Sequence, residues 1–77
     1  MQLNKSADVA RNKRIVALGK NQKWREILSL YQEESAQYNN INYATTMLQL
    51  RKIRSVDKRD PSFIRFVDDL ANVIEDK

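Results

Sequence analysis

The chain has 77 residues, of which 42% are hydrophobic and 31% are charged, and its formal net charge is +4. This length suits one small domain, and the composition is that of a soluble globular chain rather than a disordered one. Because cysteine and histidine are both absent, the chain excludes a disulfide framework, a thiolate metal site and histidine-based catalysis. No apolar run approaches the roughly 20 residues that a membrane-spanning helix needs.

Sparse glycine and proline predict long helices. The chain contains one residue of each kind, and helices fit that scarcity better than a β-meander with many turns. We predict a single all-α domain over residues 1–77, built from two antiparallel hairpins with right-handed packing like that of helical repeats. Hairpin 1 covers about 6–37 and hairpin 2 about 42–75. The four predicted helices cover about 6–18, 22–37, 43–54 and 61–75.

Helix boundaries are predicted from a few capping residues. Gly19 follows an apolar run, as a glycine just past a helix C-terminus does. Asn21 and Asn42 are candidate caps of the second and third helices. Asp60 followed by Pro61 is typical of an N-cap carboxylate and a first-turn proline. The fourth helix has the clearest apolar stripe, formed by Phe63, Phe66, Val67, Leu70, Val73 and Ile74.

The same apolar spacing occurs twice along the chain. The second and fourth helices match at a shift of 39 residues, and the first and third at a shift of 32. Periods of this size are typical of stacked helical hairpins. The first shift pairs Trp24, Ile27, Leu28 and Tyr31 with Phe63, Phe66, Val67 and Leu70. The predicted core consists of these eight residues with Met47, Leu50, Ile53 and Ile74.

Charge alternates along the chain in blocks. Residues 1–25 hold seven Lys and Arg side chains against one acid, whereas residues 26–50 hold three acids and no base. Residues 51–59 hold five bases against one acid, and residues 60–77 hold two against five. If the blocks follow the helices, the first and third helices present one cationic face to a polyanion. Ordinary solvated faces with i,i+4 ion pairs are the alternative explanation.

Three stretches carry a family resemblance. Residues 12–34, NKRIVALGKNQKWREILSLYQEE, resemble a pentatricopeptide-type hairpin. In that family the first helix of each hairpin ends in a leucine, a small residue and a lysine, as residues 18–20 do here. The second helix of each hairpin carries an aliphatic–leucine–aromatic core followed by acidic residues. Residues 41–52, INYATTMLQLRK, resemble the next first helix, with Tyr43, Met47 and Leu50 at packing positions. Residues 60–76, DPSFIRFVDDLANVIED, are closer to the related octotricopeptide-type repeats.

The resemblance implies binding of single-stranded RNA, in a plastid or mitochondrion. In such repeats the first helix of each hairpin lines a concave surface, where polar side chains contact unstacked bases. By position, Lys13, Thr45 and Gln49 are implied to face the bases, and Asn42 to act as a second specificity residue at the hairpin junction. Phosphate contacts, which supply most sequence-independent affinity, are implied for Lys20 and Lys52.

Other chemistries are weaker alternatives. Asp57, Asp60 and the adjacent Asp68 and Asp69 lack the glycine-containing loop of a calcium site. Neighbouring residues on a helix point about 100° apart, so Asp68 and Asp69 do not converge. We therefore expect no enzyme, no bound metal and no small-molecule cofactor. A protein-interaction module, or a small basic subunit that docks in a larger assembly, remains the alternative function, because helical hairpins serve either purpose.

Overall fold

Four α-helices form the described part of the protein. The computed structural model describes the backbone of residues 3–75 and the side chains of residues 7–74. Helix α1 spans Leu3–Lys20, α2 Trp24–Glu34, α3 Asn40–Lys52 and α4 Pro61–Glu75, and a 3₁₀ turn at Ser35–Gln37 follows α2. The all-α prediction is confirmed, since every regular element among the described residues is helical. Residues 1, 2, 76 and 77 of the predicted domain lie outside this range.

Alternate helices along the chain lie side by side. Helix α1 packs along α3, and α2 packs on α4. Asn42, near the start of α3, bonds to Asp8 and Asn12 in the first half of α1. Gln49, near the end of α3, lies against Gly19 near the end of α1. The contacts advance in the same direction along both helices, so α1 and α3 run parallel and their C-termini lie at the same end of the molecule.

The apolar core lies between α2, α3 and α4. Its buried residues are Trp24, Ile27, Leu28, Tyr31, Leu50, Ile53 and Phe66, all of them predicted core positions. Four further predicted residues, Met47, Phe63, Val67 and Leu70, are partly buried against it. Ile15 of α1 and Leu30 of α2 are also buried and were not predicted. The prediction for Ile74 is wrong: its side chain is 61% exposed, because it lies on the open rim of a groove between α3 and α4.

Aromatic rings join three of the helices. The ring of Tyr31 meets those of Tyr38 and Phe66 edge-on, with both centroids at 5.0 Å. The Tyr31 hydroxyl donates to the Asp69 carboxylate and lies 3.2 Å from the Tyr43 hydroxyl. Burial, reinforced by the hydrogen bond to Asp69, raises the pKa of Tyr31 above its usual range. The hydroxyl therefore stays protonated and links α2 to α3 and α4.

The end of α1 differs from the prediction. The helix continues through Gly19 to Lys20, and Gln22 takes the left-handed conformation with φ 57°. The Lys23 amide donates to the Leu18 carbonyl at 2.9 Å, and the Gln22 amide donates to the Gly19 carbonyl at 3.0 Å. This pair of bonds is a Schellman motif, with Gln22 in the position where glycine is usual.

Gly19 has a different role from the predicted one. A Cβ atom at this position would overlap the side chain of Gln49, which crosses over it from α3. The glycine therefore leaves room for the Gln49 side chain where α3 passes close to α1, and it does not form a turn. The predicted capping role of Asn21 is also wrong, since its amide donates to the Ala17 carbonyl at 3.0 Å and α2 begins only at Trp24.

Replacing Gln22 with glycine should stabilise the protein by about 1 kcal/mol, because a left-handed conformation costs a residue with a Cβ roughly that amount. Urea unfolding followed by circular dichroism measures the effect. Gln22→Ala is the matched control and should give no gain, because alanine keeps the Cβ. A glycine variant no more stable than the alanine variant would show that Gln22 is not strained.

The starts of α3 and α4 are capped by side chains. Asn39 and Asn42 form a reciprocal capping box at α3, in which the Asn39 side chain accepts from the Asn42 amide at 2.8 Å. Asn42 is thus the third residue of the helix and not its N-cap as predicted. At α4 the Asp60 carboxylate accepts from the Ser62 amide at 2.8 Å, as predicted for an N-cap followed by Pro61.

Candidate functional site

An open groove runs between α1 and the beginning of α3. Its volume is about 720 Å³. One wall is a stripe of α1 residues at i, i+4, i+7 and i+11, a spacing that keeps side chains on one helix face. These residues are Val9, Lys13, Val16 and Lys20. Asn39, Ile41 and Asn42 line the opposite side, so the groove combines cationic, amide and apolar groups.

Two lysines line the groove along α1. Lys13 and Lys20 are both exposed, and their separation of seven residues corresponds to roughly 10 Å along the helix axis. The carboxylate of Asp8 also lines the groove, but it is held in an ion pair with Arg11 at 2.9 Å. The unpaired charge that the described part of the groove offers to a ligand is therefore positive.

Apolar side chains are exposed beside these cations. Val9 is 52% exposed and Ile41 is 65% exposed, and both line the groove from opposite helices. Solvent-exposed aliphatic groups of this kind give a flat or unsaturated ligand something to pack against. The groove can thus hold a ligand that is both anionic and partly apolar.

Arg11 organises the structure at one end of this groove. Its side chain is buried, and its Nε donates to Glu34 Oε1 at 2.8 Å. Its other nitrogens donate to Asp8 at 2.9 Å, to Asn42 Oδ1 at 3.1 Å and to Gln37 Oε1 at 3.0 Å. The hydrogen bond to Glu34 raises the pKa of Arg11 against the opposing effect of burial. One charged side chain therefore joins α1 to the start of α3 and to the end of α2.

Two of the predicted base-contacting residues are buried. Asn42 is 0% exposed, and its amide is bonded to Arg11, to the Asn39 amide and to Asn12. Gln49 is 8% exposed and packs over Gly19. The predicted contact of Asn42 and Gln49 with bases is therefore wrong for this structure, because both residues face α1 and hold the two parallel helices together.

The remaining candidates are divided between two places. Lys13 and Lys20 lie in the groove, whereas Thr45 and Lys52 are outside its lining. Thr45 is half-buried, and Lys52 is exposed at the last position of α3. Because α1 and α3 are parallel, Lys52 lies at the same end of the molecule as Lys20. Several other exposed cations belong to this end: Lys23, Arg25, Arg51 and Arg54.

Sequence reasoning missed Arg11, Asn12, Asn39 and the exposed apolar pair as parts of the site. Among the described side chains, no cluster of three or more acidic residues is placed to hold a metal ion. None of the helices within residues 3–75 has the length and apolarity needed to cross a membrane. Comparison of the chain with protein-family models, curated proteins and solved structures finds no match.

Proposed function

We propose that this protein binds single-stranded RNA in the groove between α1 and α3. The observation that carries the proposal is the placement of Lys13 and Lys20 on one stripe of α1, along an open groove that leads to the cationic end of the molecule. Lysines at such positions neutralise backbone phosphates, which supplies most of the affinity for a nucleic acid. Lys52 extends the cationic surface beyond the groove.

Bases of the bound strand would pack against the apolar side of the groove. Val9 and Ile41 offer aliphatic surface to an unstacked base, and single strands are recognised through such unstacked bases. Thr45 is the remaining predicted residue with a side chain suited to hydrogen bonding at a base edge. Asn42 and Gln49 support the proposal only indirectly, since they fix the spacing of α1 and α3.

Reversing Lys13, Lys20 and Lys52 to glutamate should abolish RNA binding without loss of helicity. The three side chains are exposed, so their replacement leaves the core intact. Titration with fluorescent single-stranded oligonucleotides at several salt concentrations measures the effect. Each phosphate contact adds about 0.7 to the log–log salt dependence for a single strand, so three contacts should contribute about 2. Thr45 lies outside the groove lining but four residues after Ile41 on the same face of α3. A strand that continues along α3 would meet it, so replacing Thr45 with alanine should change base preference and leave that slope unaltered.

A matched control separates a defined surface from general charge attraction. Lys58 and Arg59, in the connection between α3 and α4, and Arg65, on α4, are exposed and lie outside the groove lining. Reversing these three residues changes the net charge by the same amount. If the groove is the binding surface, this control retains most of the affinity of the original chain. Equal losses in both triple variants, or no binding of the original chain at low salt, would contradict the proposal.

A protein-interaction module is the second candidate function. The exposure of Val9 and Ile41 favours it, because a groove with apolar walls also fits the apolar face of a peptide helix. Pull-down from the protein's own extract, with and without ribonuclease, distinguishes the two functions. Partners that remain after ribonuclease treatment, together with absence of oligonucleotide binding, would favour protein docking.

A further inference from the structure

A second groove lies open between α3 and α4. Apolar side chains dominate its lining, and two of them are large and exposed: Leu48 is 48% exposed and Ile74 is 61% exposed. The other apolar residues of the lining are Tyr43, Ala44, Met47, Leu70 and Val73. An apolar surface of this kind on a small domain marks a site of association.

The α3 side of this groove corresponds in sequence to the surface with which α1 contacts α3. Within the molecule, α1 uses Asp8, Arg11, Asn12 and Gly19 for that contact. When α1 is aligned with α3 at a shift of 32 residues, the positions that correspond to these four residues are Asn40, Tyr43, Ala44 and Arg51. All four corresponding residues line the open groove. Helix α3 therefore exposes, in the groove, the surface that corresponds to the part of α1 covered by α3.

The complementary surface is exposed at the opposite side of the molecule. Asn42, Thr46 and Gln49 are the buried polar residues of α3, and two of them contact α1 directly. The same shift in reverse converts them into Ala10, Arg14 and Ala17 of α1, all of which are exposed. One copy of the chain thus carries both halves of the α1–α3 contact in uncovered form.

We propose that a second copy of this chain places its α1 in the groove between α3 and α4 of the first copy. The contact repeats the α1–α3 arrangement found within one molecule. Side-chain sizes are compatible with this: Gln49 of α3 fits over Gly19 inside the molecule, and between copies Arg51 lies opposite Ala17. A small residue again faces a long one, with the two sides exchanged. Because different surfaces meet, the association is head to tail and continues beyond a dimer.

The proposed association and RNA binding should depend on salt concentration in opposite ways. Each copy carries a net charge of +4, and Arg14 and Arg51 approach each other in the proposed contact. Added salt screens that repulsion, so association of the apolar groove should strengthen with salt. Phosphate contacts weaken with salt. Ala17 belongs to both surfaces, because it also lines the groove between α1 and α3. The opposite dependence on salt therefore distinguishes failure of one proposal from failure of the other.

Sedimentation velocity of the whole chain, over a range of concentrations and salt, tests the proposal. We expect species larger than a dimer that increase with both variables. The double variant Leu48→Glu with Ile74→Glu places two charges in the groove and should block it. The double variant Ala10→Glu with Ala17→Glu does the same to the α1 face. Each double variant alone should associate at least tenfold more weakly. Ile64→Glu is the matched control, because Ile64 is 47% exposed on α4 and lies outside the groove lining.

Mixing the two double variants is the decisive experiment. Each retains one intact surface, so a mixture should form a one-to-one dimer and nothing larger. Circular dichroism confirms that both variants keep their helices. A mixture that stays monomeric overturns the proposal. A dimer that persists in the variant with the altered α1 face also overturns it, since two grooves would then meet. An original chain that stays monomeric at all concentrations overturns it as well, and would assign the groove to a helix of another protein.

Discussion

Replacing Arg11 with alanine should lower the free energy of unfolding by about 3 kcal/mol. Breaking a buried ion pair typically costs about 3–5 kcal/mol. The lower figure applies because the carboxylate side chains of Asp8 and Glu34 are 29% and 34% exposed and can regain water. Asn42 has no such compensation, since it is 0% exposed and loses one of the donors to its Oδ1 atom.

Thermal and urea unfolding, followed by circular dichroism, measure this change. For a domain of this size, 3 kcal/mol corresponds to a fall in Tm of very roughly 12–24 °C. Arg14→Ala is the matched control, because Arg14 is an exposed arginine on the same helix, and its effect should stay within about 0.5 kcal/mol. Equal stabilities of the two variants would mean that the Arg11 network contributes nothing net to folding.

The importance of Arg11 was not predictable from apolar periodicity. Helix α1 has little apolar periodicity, and polar side chains supply its hydrogen bonds to α3 and the packing over Gly19: Arg11, Asn12, Asn42 and Gln49. Ile15 of α1 is also fully buried. Polar side chains at helical spacing are usually solvated, and the chain offers no local sign that these are buried together. The interpretation of Asn42 and Gln49 as exposed binding residues failed for this reason.

Amphipathic helices were predicted well because burial in them follows the apolar stripe. The predicted and observed bounds of α4 agree, and Phe66 of its stripe is fully buried. The end of the stripe is different, since Ile74 continues the pattern but is 61% exposed, with no element of residues 3–75 covering it. Periodicity identifies the face of a helix that avoids water, whereas the length of that face that is covered depends on the neighbouring helices.

The two lysines of the candidate site were named from the family resemblance, which implied base contact for Lys13 and phosphate contact for Lys20. Their place on one helix face was not predicted, because the predicted first helix ended at residue 18, whereas α1 continues to Lys20. Their position beside Ile41 in the groove depends on α3 lying parallel to α1. The groove is a product of tertiary packing, and its apolar components have no signature along the chain.

Replacing Phe66 with alanine should unfold much of the protein. Phe66 is 0% exposed, and its ring lies 5.0 Å from the Tyr31 ring and 6.0 Å from the Tyr43 ring, centroid to centroid. Truncating a buried phenylalanine typically costs about 3–5 kcal/mol. A chain of this length has a total stability of roughly 4–12 kcal/mol. Trp24→Ala should have a comparable effect, because Trp24 is also in the buried core.

Ile74→Ala is the control that distinguishes the effect of the apolar sequence pattern from the effect of burial in the core. Ile74 lies on the same predicted stripe of α4 as Phe66, so periodicity alone predicts a substantial loss of stability for both. Its 61% exposure predicts instead a change within about 0.5 kcal/mol for the single chain at low concentration. Fluorescence of Trp24 during urea unfolding measures both variants. We expect a large loss of stability for Phe66→Ala alone, because the core ends before the last turn of α4. Similar losses of stability in the two variants would instead show that Ile74 is covered in solution.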